Sequence, residues 1–157
     1  MKLLLFDIDG TLIRGNKAGR MAMAAALEEL FGSAGPLDSY NMSGKTDARI
    51  LTDLLQTIGV NGEDIDATLP QIYALMAEKA GRIYPGRDIM VCPGIEELLS
   101  VLCDREDVVL GLLTGNAQLT APLKLLEARI DPAQFIVGAY GSDHFDRNKL
   151  PQLAMRR

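Results

Sequence analysis

Leu3-Leu4-Leu5-Phe6-Asp7-Ile8-Asp9-Gly10-Thr11-Leu12-Ile13 is an apolar run that delivers two acids, a glycine and a threonine before turning apolar again. Residues i and i+2 of a strand share one face, so a strand ending here brings Asp7 and Asp9 to one point. Glycine at position 10 permits a sharp turn and the close approach of a ligand. Two convergent carboxylates at a strand end suit a nucleophile with a proton donor, or a Mg²⁺ site. Asp9-Gly10 between apolar residues also reads as the turn of a two-residue hairpin. A hairpin, however, has no use for a second acid, Asp7, just before its turn.

Composition bounds what surrounds this stretch. The chain has 157 residues, 48% of them apolar, enough for a sizeable core in one domain or in a small core with an insertion. Aromatics make up only 5% and Trp is absent, so aliphatics and seven Met must fill that core. A net charge of −5 argues against a nucleic-acid partner held by phosphate neutralisation. It leaves room for small anionic substrates, because a local basic pocket can coexist with an acidic surface. Cys92 and Cys103 lack CxxC spacing and the single histidine, His144, is distant in sequence, which argues against a zinc site. Residues 2–6 are too short for a signal peptide, and no segment approaches the roughly 20 apolar residues a membrane span needs. The expectation is a soluble, cytoplasmic protein without a membrane or nucleic-acid partner.

Periodicity organises the rest. Residues 2–7 read as a buried strand, 18–31 as an Ala/Met/Leu helix stopped by Gly32, and 47–58 as a helix with a stripe of Ile50, Leu51, Leu54, Leu55 and Ile58. Residues 63–83 form another helical stretch with Pro70 as a kink or boundary. Pro93-Gly94 opens a helix through Leu102, Val108 to Leu113 is a strand, Ala117 to Arg129 a helix, Phe135 to Tyr140 a strand, and Asn148 to Arg157 helical. This strand–helix alternation implies a parallel sheet with crossover helices. Ligands then sit at the carboxyl ends of the strands, where Asp7 and Thr114 both fall. Residues 15–90 hold no convincing strand and read as an all-helical insertion.

Asp7-Ile8-Asp9-Gly10-Thr11-Leu12 resembles the first motif of the haloacid dehalogenase-like superfamily as it stands in its phosphatases. Val108-Val109-Leu110-Gly111-Leu112-Leu113-Thr114-Gly115-Asn116 resembles the second, an apolar strand ending in Ser or Thr. The resemblance implies an α/β fold: a Rossmann-like parallel sheet core, formed by residues 1–14 and 91–157 and lacking its last strands, with residues 15–90 as a helical cap. It implies a Mg²⁺-dependent phosphomonoester hydrolase of phosphoglycolate-phosphatase type, acting on a small phosphorylated metabolite through an aspartyl-phosphate. A sugar phosphomutase of the same superfamily and a catalytically silent binding protein are the alternatives.

In that scheme Asp7 is the nucleophile, Asp9 the general acid and then base, and both contribute to the metal site. Thr114 and the amides around Gly115 and Asn116 bind phosphoryl oxygens, helped by the helix N-terminus near Ala117. The basic third motif has three candidates. Arg147 and Lys149 follow the strand Phe135 to Tyr140 on the active face, with Arg147 at the favoured offset. Lys124 lies about seven residues into a helix, roughly 10 Å along its axis, and is expected to be carried away into solvent.

Ser43-Gly44-Lys45-Thr46-Asp47 resembles the end of a P-loop but lacks the required upstream glycine (Ser39 stands there) and a preceding strand. In the resembled superfamily such a segment lies in the cap, so Lys45 is a candidate substrate contact and Thr46 or Asp47 an N-cap. His144, Asp143 and Asp146 read as loop residues. The superfamily's fourth, acidic motif has no counterpart up to Arg157, and without it the metal shell is incomplete and weak or no turnover is expected.

Overall fold

The computed structural model describes residues 1–157. In chain order the elements are β1 (Lys2–Phe6), β2 (Ile13–Arg14), α1 (Ala18–Phe31), α2 (Asp47–Thr57), α3 (Gly62–Ile83), β3 (Met90–Val91), α4 (Ile95–Cys103), β4 (Val108–Leu113), α5 (Ala121–Glu127), β5 (Val137–Ala139) and α6 (Leu150–Arg156). β1, β4 and β5 form one parallel sheet in that order, with Lys2 opposite Val108, Phe6 opposite Leu112 and Leu113 opposite Ala139. The fold is α/β, as the alternation of apolar strands and amphipathic helices requires.

Asp7, Thr114 and Tyr140 are each the first residue beyond a strand, so the parallel register sets all three loops along one edge. Gly10 (φ 82°) turns the chain immediately after β1, and the Leu12 and Ile13 amides both donate to the Ile8 carbonyl at 3.0 Å. That turn does not fold β1 into a hairpin. It leads into β2, which pairs antiparallel with β3 through Ile13–Val91 and Arg14–Met90. The entry and exit of the helical segment are thereby tied together, at positions where sequence periodicity gives no strand signal because each strand is two residues long.

One apolar cluster fills the space between sheet and helices, with Ile8, Leu110, Leu112, Leu125 and Ile130 among its members. A second lies among α1, α2 and α3, built from Met23, Leu27, Leu51, Leu54, Ile72 and Met76. Ala18, Ala22 and Ala26 recur every four residues along the buried face of α1, and such small side chains let helices approach closely. Helix α3 is a single element through Pro70, so Pro70 is not a boundary. The proline removes one backbone N–H, a loss offset by burial of Ile65, Ile72, Tyr73, Met76 and Ala80 along the same helix. No helix is long and apolar enough to cross a membrane.

Candidate active site

The strand-end loops of the sheet and the start of the helical segment enclose a cavity of about 630 Å³. Five cations (Lys17, Arg20, Lys45, Lys124, Arg147) line it against three acids (Asp7, Asp9, Asp47). A chain of net charge −5 thus holds a locally positive cavity, which attracts small anions.

Asp7 and Asp9 both face this space. The Asp7 Oδ1 accepts from the Ile8 amide at 2.8 Å, and Oδ2 pairs with Arg147 Nη2 at 2.7 Å. Arg147, the favoured candidate for the basic residue, therefore stands beside Asp7. Lys149 does not: it is exposed and absent from the cavity lining. Arg147–Lys149 form one turn of 3₁₀ helix, in which residues two apart point in different directions.

The sequence expectation for Lys124 is overturned. Its side chain is 6% exposed, and its ammonium donates to Asp9 Oδ1 (3.0 Å), Asp9 Oδ2 (2.7 Å) and Asn116 Oδ1 (2.6 Å). The physical reason is the register of α5. The helix begins at Ala121 rather than Ala117, so Lys124 occupies its first turn. Helical side chains lean toward the N-terminus, which sends Lys124 back to the site. Pro122 carried the missed signal, since proline belongs in a first turn and not in the interior of a helix over 117–129.

Thr114 is fully buried and outside the cavity lining, and its Oγ1 accepts from the Asn116 amide (3.2 Å) and Asn116 Nδ2 (2.7 Å). Asn116 Nδ2 also donates to Asp9 Oδ2 at 2.8 Å. Thr114 thus props Asn116, which in turn meets Asp9. The Ala117 N–H donates to the Asp47 carboxylate at 2.7 Å, and Gln118 N–H donates to Ser142 Oγ at 3.0 Å.

Asp47 comes from the helical side. Thr46 caps α2 by accepting from the Arg49 amide at 3.2 Å, which leaves Asp47 free to reach across. The Asp47 amide donates to Gly115 O (2.7 Å) and the Ala48 amide to Gly141 O (3.0 Å). Lys45 lines the cavity with its Nζ held by the Tyr40 hydroxyl at 2.8 Å, and Arg20 is held by the Leu37 and Tyr40 carbonyls. His144 is exposed, its Nδ1 accepting from the Asp146 amide at 2.8 Å.

Burial pushes the Asp47 carboxyl up to about 6, against the opposing pull of Lys124 and the Ala117 N–H and with a further push from Asp9. A raised carboxyl means the folded state keeps a proton the unfolded chain has released. This group's contribution is therefore full below the ordinary carboxylate range and is lost as pH rises to about 6. Asp47→Asn keeps an acceptor for Ala117 but never ionises. Its stability relative to the parent is expected to improve by about 3 kcal/mol between pH 4 and pH 7, read from urea unfolding at both pH values. An unchanged difference would show that Asp47 ionises normally.

For a divalent cation the donor set is small but of the right kind. Mg²⁺ takes one or two protein carboxylates and completes its octahedron with water and phosphate oxygens. Asp7 and Asp9 offer hard oxygens in the same cavity, their side chains 33% and 45% exposed. No group of three or more His, Cys, Asp or Glu side chains forms around them, so these two residues would supply only part of a Mg²⁺ shell, the rest falling to water and phosphate oxygens.

CbbY from Rhodobacter sphaeroides in complex with phosphate superposes with a TM-score of 0.71 at 18% identity, covering 99% of this chain and 72% of that one. A CbbY mutant from the same organism, in complex with xylulose-(1,5)bisphosphate, gives the same values. A hydrolase from Pseudomonas syringae matches with a TM-score of 0.63 at 21% identity, over 91% of this chain and 62% of that one. At such identities the likeness is one of fold. No curated protein matches the chain in sequence. A family model does, described as a haloacid dehalogenase-like hydrolase and matching residues 1–150. The acids of the Asp7–Leu12 stretch, gathered where parallel strands end, are thus those of a member of the haloacid dehalogenase-like hydrolase family, to which this chain belongs.

Proposed function

We propose that the protein hydrolyses a small phosphate monoester through an aspartyl-phosphate. The observation that carries this reading is the convergence of Asp7 and Asp9 in a cation-lined cavity with Arg147 on Asp7. An Asp7 oxygen attacks phosphorus while the bond to the ester oxygen breaks, and Asp9 gives its proton to the departing alkoxide. Asp9, now a carboxylate, takes a proton from water as the water oxygen attacks the same phosphorus. Phosphate leaves, and Asp7 regains its carboxylate.

Arg147 neutralises Asp7 against the approaching anion, and the Asn116 side chain and the Gly115 backbone border the phosphoryl position. Mg²⁺ would be held by the Asp7 carboxylate and the Asp9 main-chain carbonyl, and would screen the charge between nucleophile and phosphate. Residues 15–90 act as a cap in this reading, with Lys45 turned to the substrate; the phosphate- and bisphosphate-bound CbbY structures support a phosphorylated metabolite. The free cysteines Cys92 and Cys103 suit a reducing cytosol.

Titration with beryllofluoride, a phosphoryl mimic, in the presence of Mg²⁺ tests the site. Saturable shifts of the Asp7–Gly10 and Gly115–Asn116 amides in the NMR spectrum are expected for the parent and none for Asp7→Asn. Equal shifts in both proteins would remove Asp7 from the role of nucleophile.

A further inference from the structure

Lys124 does more than line the cavity. An ammonium group has three donors, and here all three are placed: two on the Asp9 oxygens and one on Asn116 Oδ1. Because both carboxylate oxygens are gripped, Asp9 is fixed in rotation as well as in position. Asn116 closes the arrangement by donating to Asp9 Oδ2 and to Thr114 Oγ1, which ties Asp9 to the end of β4. The two acids have separate cations, Arg147 on Asp7 and Lys124 on Asp9.

The helical side makes room for this contact. A Cβ on Gly19, in the first turn of α1, would stand 2.9 Å from Lys124 Nζ and 3.1 Å from Cε. A bare helix position there lets α1 close over the ammonium without displacing it. Burying a charge is costly unless every donor is satisfied, and an apolar side chain would fill the same space at less cost. Something beyond packing retains the lysine.

We propose that Lys124 is a positioning residue that holds the Asp9 carboxyl at the angle needed for proton delivery to the leaving oxygen. The inference rests on Asp9 being the proton donor of the reading above. Lys124 exchanges no proton itself; it sets where the Asp9 proton goes. The consequence is selective, because only a poor leaving group needs that proton.

The test compares kcat/KM, which reports the first chemical step, for glycerol 2-phosphate and 4-nitrophenyl phosphate. The alkoxide of the first must be protonated as it leaves, whereas the nitrophenolate of the second need not be. Lys124→Met is expected to lose about 100-fold on the alkyl ester and less than about fivefold on the aryl ester. Gly19→Ala keeps the lysine, suits a helix, and pushes on the end of the Lys124 side chain; about a tenfold loss confined to the alkyl ester is expected. It also serves should the methionine variant fail to fold. Equal losses on both esters, or none, in variants with parental thermal unfolding would overturn the positioning role. Asp7→Asn is run alongside. If it matches the parent on both esters, the hydrolase reading itself fails, whereas an inactive Asp7→Asn beside an unselective Lys124→Met sinks only the inference about Lys124.

Discussion

Asp7→Asn is expected to reduce phosphate release from 4-nitrophenyl phosphate to background, because a nucleophile is removed and not merely weakened. The substitution is nearly isosteric. Asparagine keeps an oxygen for the Ile8 amide, which Asp7 Oδ1 now accepts at 2.8 Å. What it loses is the pair with Arg147, whose side chain is 28% exposed against 33% for Asp7. Half-solvated pairs of this kind contribute less than about 1 kcal/mol, so unfolding should shift little while activity collapses. That separation is the informative part of the result. A variant with near-parental rate would show that phosphorus is attacked by another group, and a variant that unfolds would show that Arg147 and Asp7 serve the fold.

The elements most legible from sequence are those whose signal is local. The apolar runs at 2–6 and 108–113 announce β1 and β4, and the acids and threonine that follow them fall on one edge because parallel pairing leaves no other choice. The stripe from Ile50 to Leu55 announces α2, and its N-terminus is set by Thr46. Illegible features depend on partners distant in the chain. Asp47 reads as one more residue near a helix start, yet its carboxylate meets an amide 70 positions away.

The place of Lys124 is illegible for a different reason. The apolar pattern extends back to Ala117, from where Lys124 lies two turns into a helix, whereas from the actual start at Ala121 it stands in the first turn. Thr114 shows a third kind of limit. Its hydroxyl is where the motif puts it, but no spacing rule indicates that Asn116 would claim it twice.

The crossing of backbones behind the site yields the second large effect. A Cβ on Gly141 would lie 1.7 Å from Gly115 O and 2.8 Å from the Asp47 amide nitrogen. None of these atoms is the yielding end of a side chain. Gly115 O accepts from the Asp47 amide at 2.7 Å, Gly141 N–H donates to Asn116 O at 2.7 Å, and Gly141 O accepts from the Ala48 amide at 3.0 Å. A methyl group at 141 must therefore separate three segments at once.

Gly141→Ala is expected to destabilise the protein by about 3 kcal/mol or more, measured by urea unfolding. Gly44→Ala is the matched control, with φ at 71° and nothing within 4 Å of its Cβ; it should cost only the left-handed backbone penalty, about 1–2 kcal/mol. Loss of activity should follow from Gly141→Ala before loss of fold, because moving Gly115 drags Asn116 from Asp9, and the Ala48 and Ala117 amides should exchange faster with solvent. If Gly141→Ala were as stable as the Gly44 control and kept its slow Ala117 exchange, the helical segment would have to rest on the sheet through some other contact than this crossing.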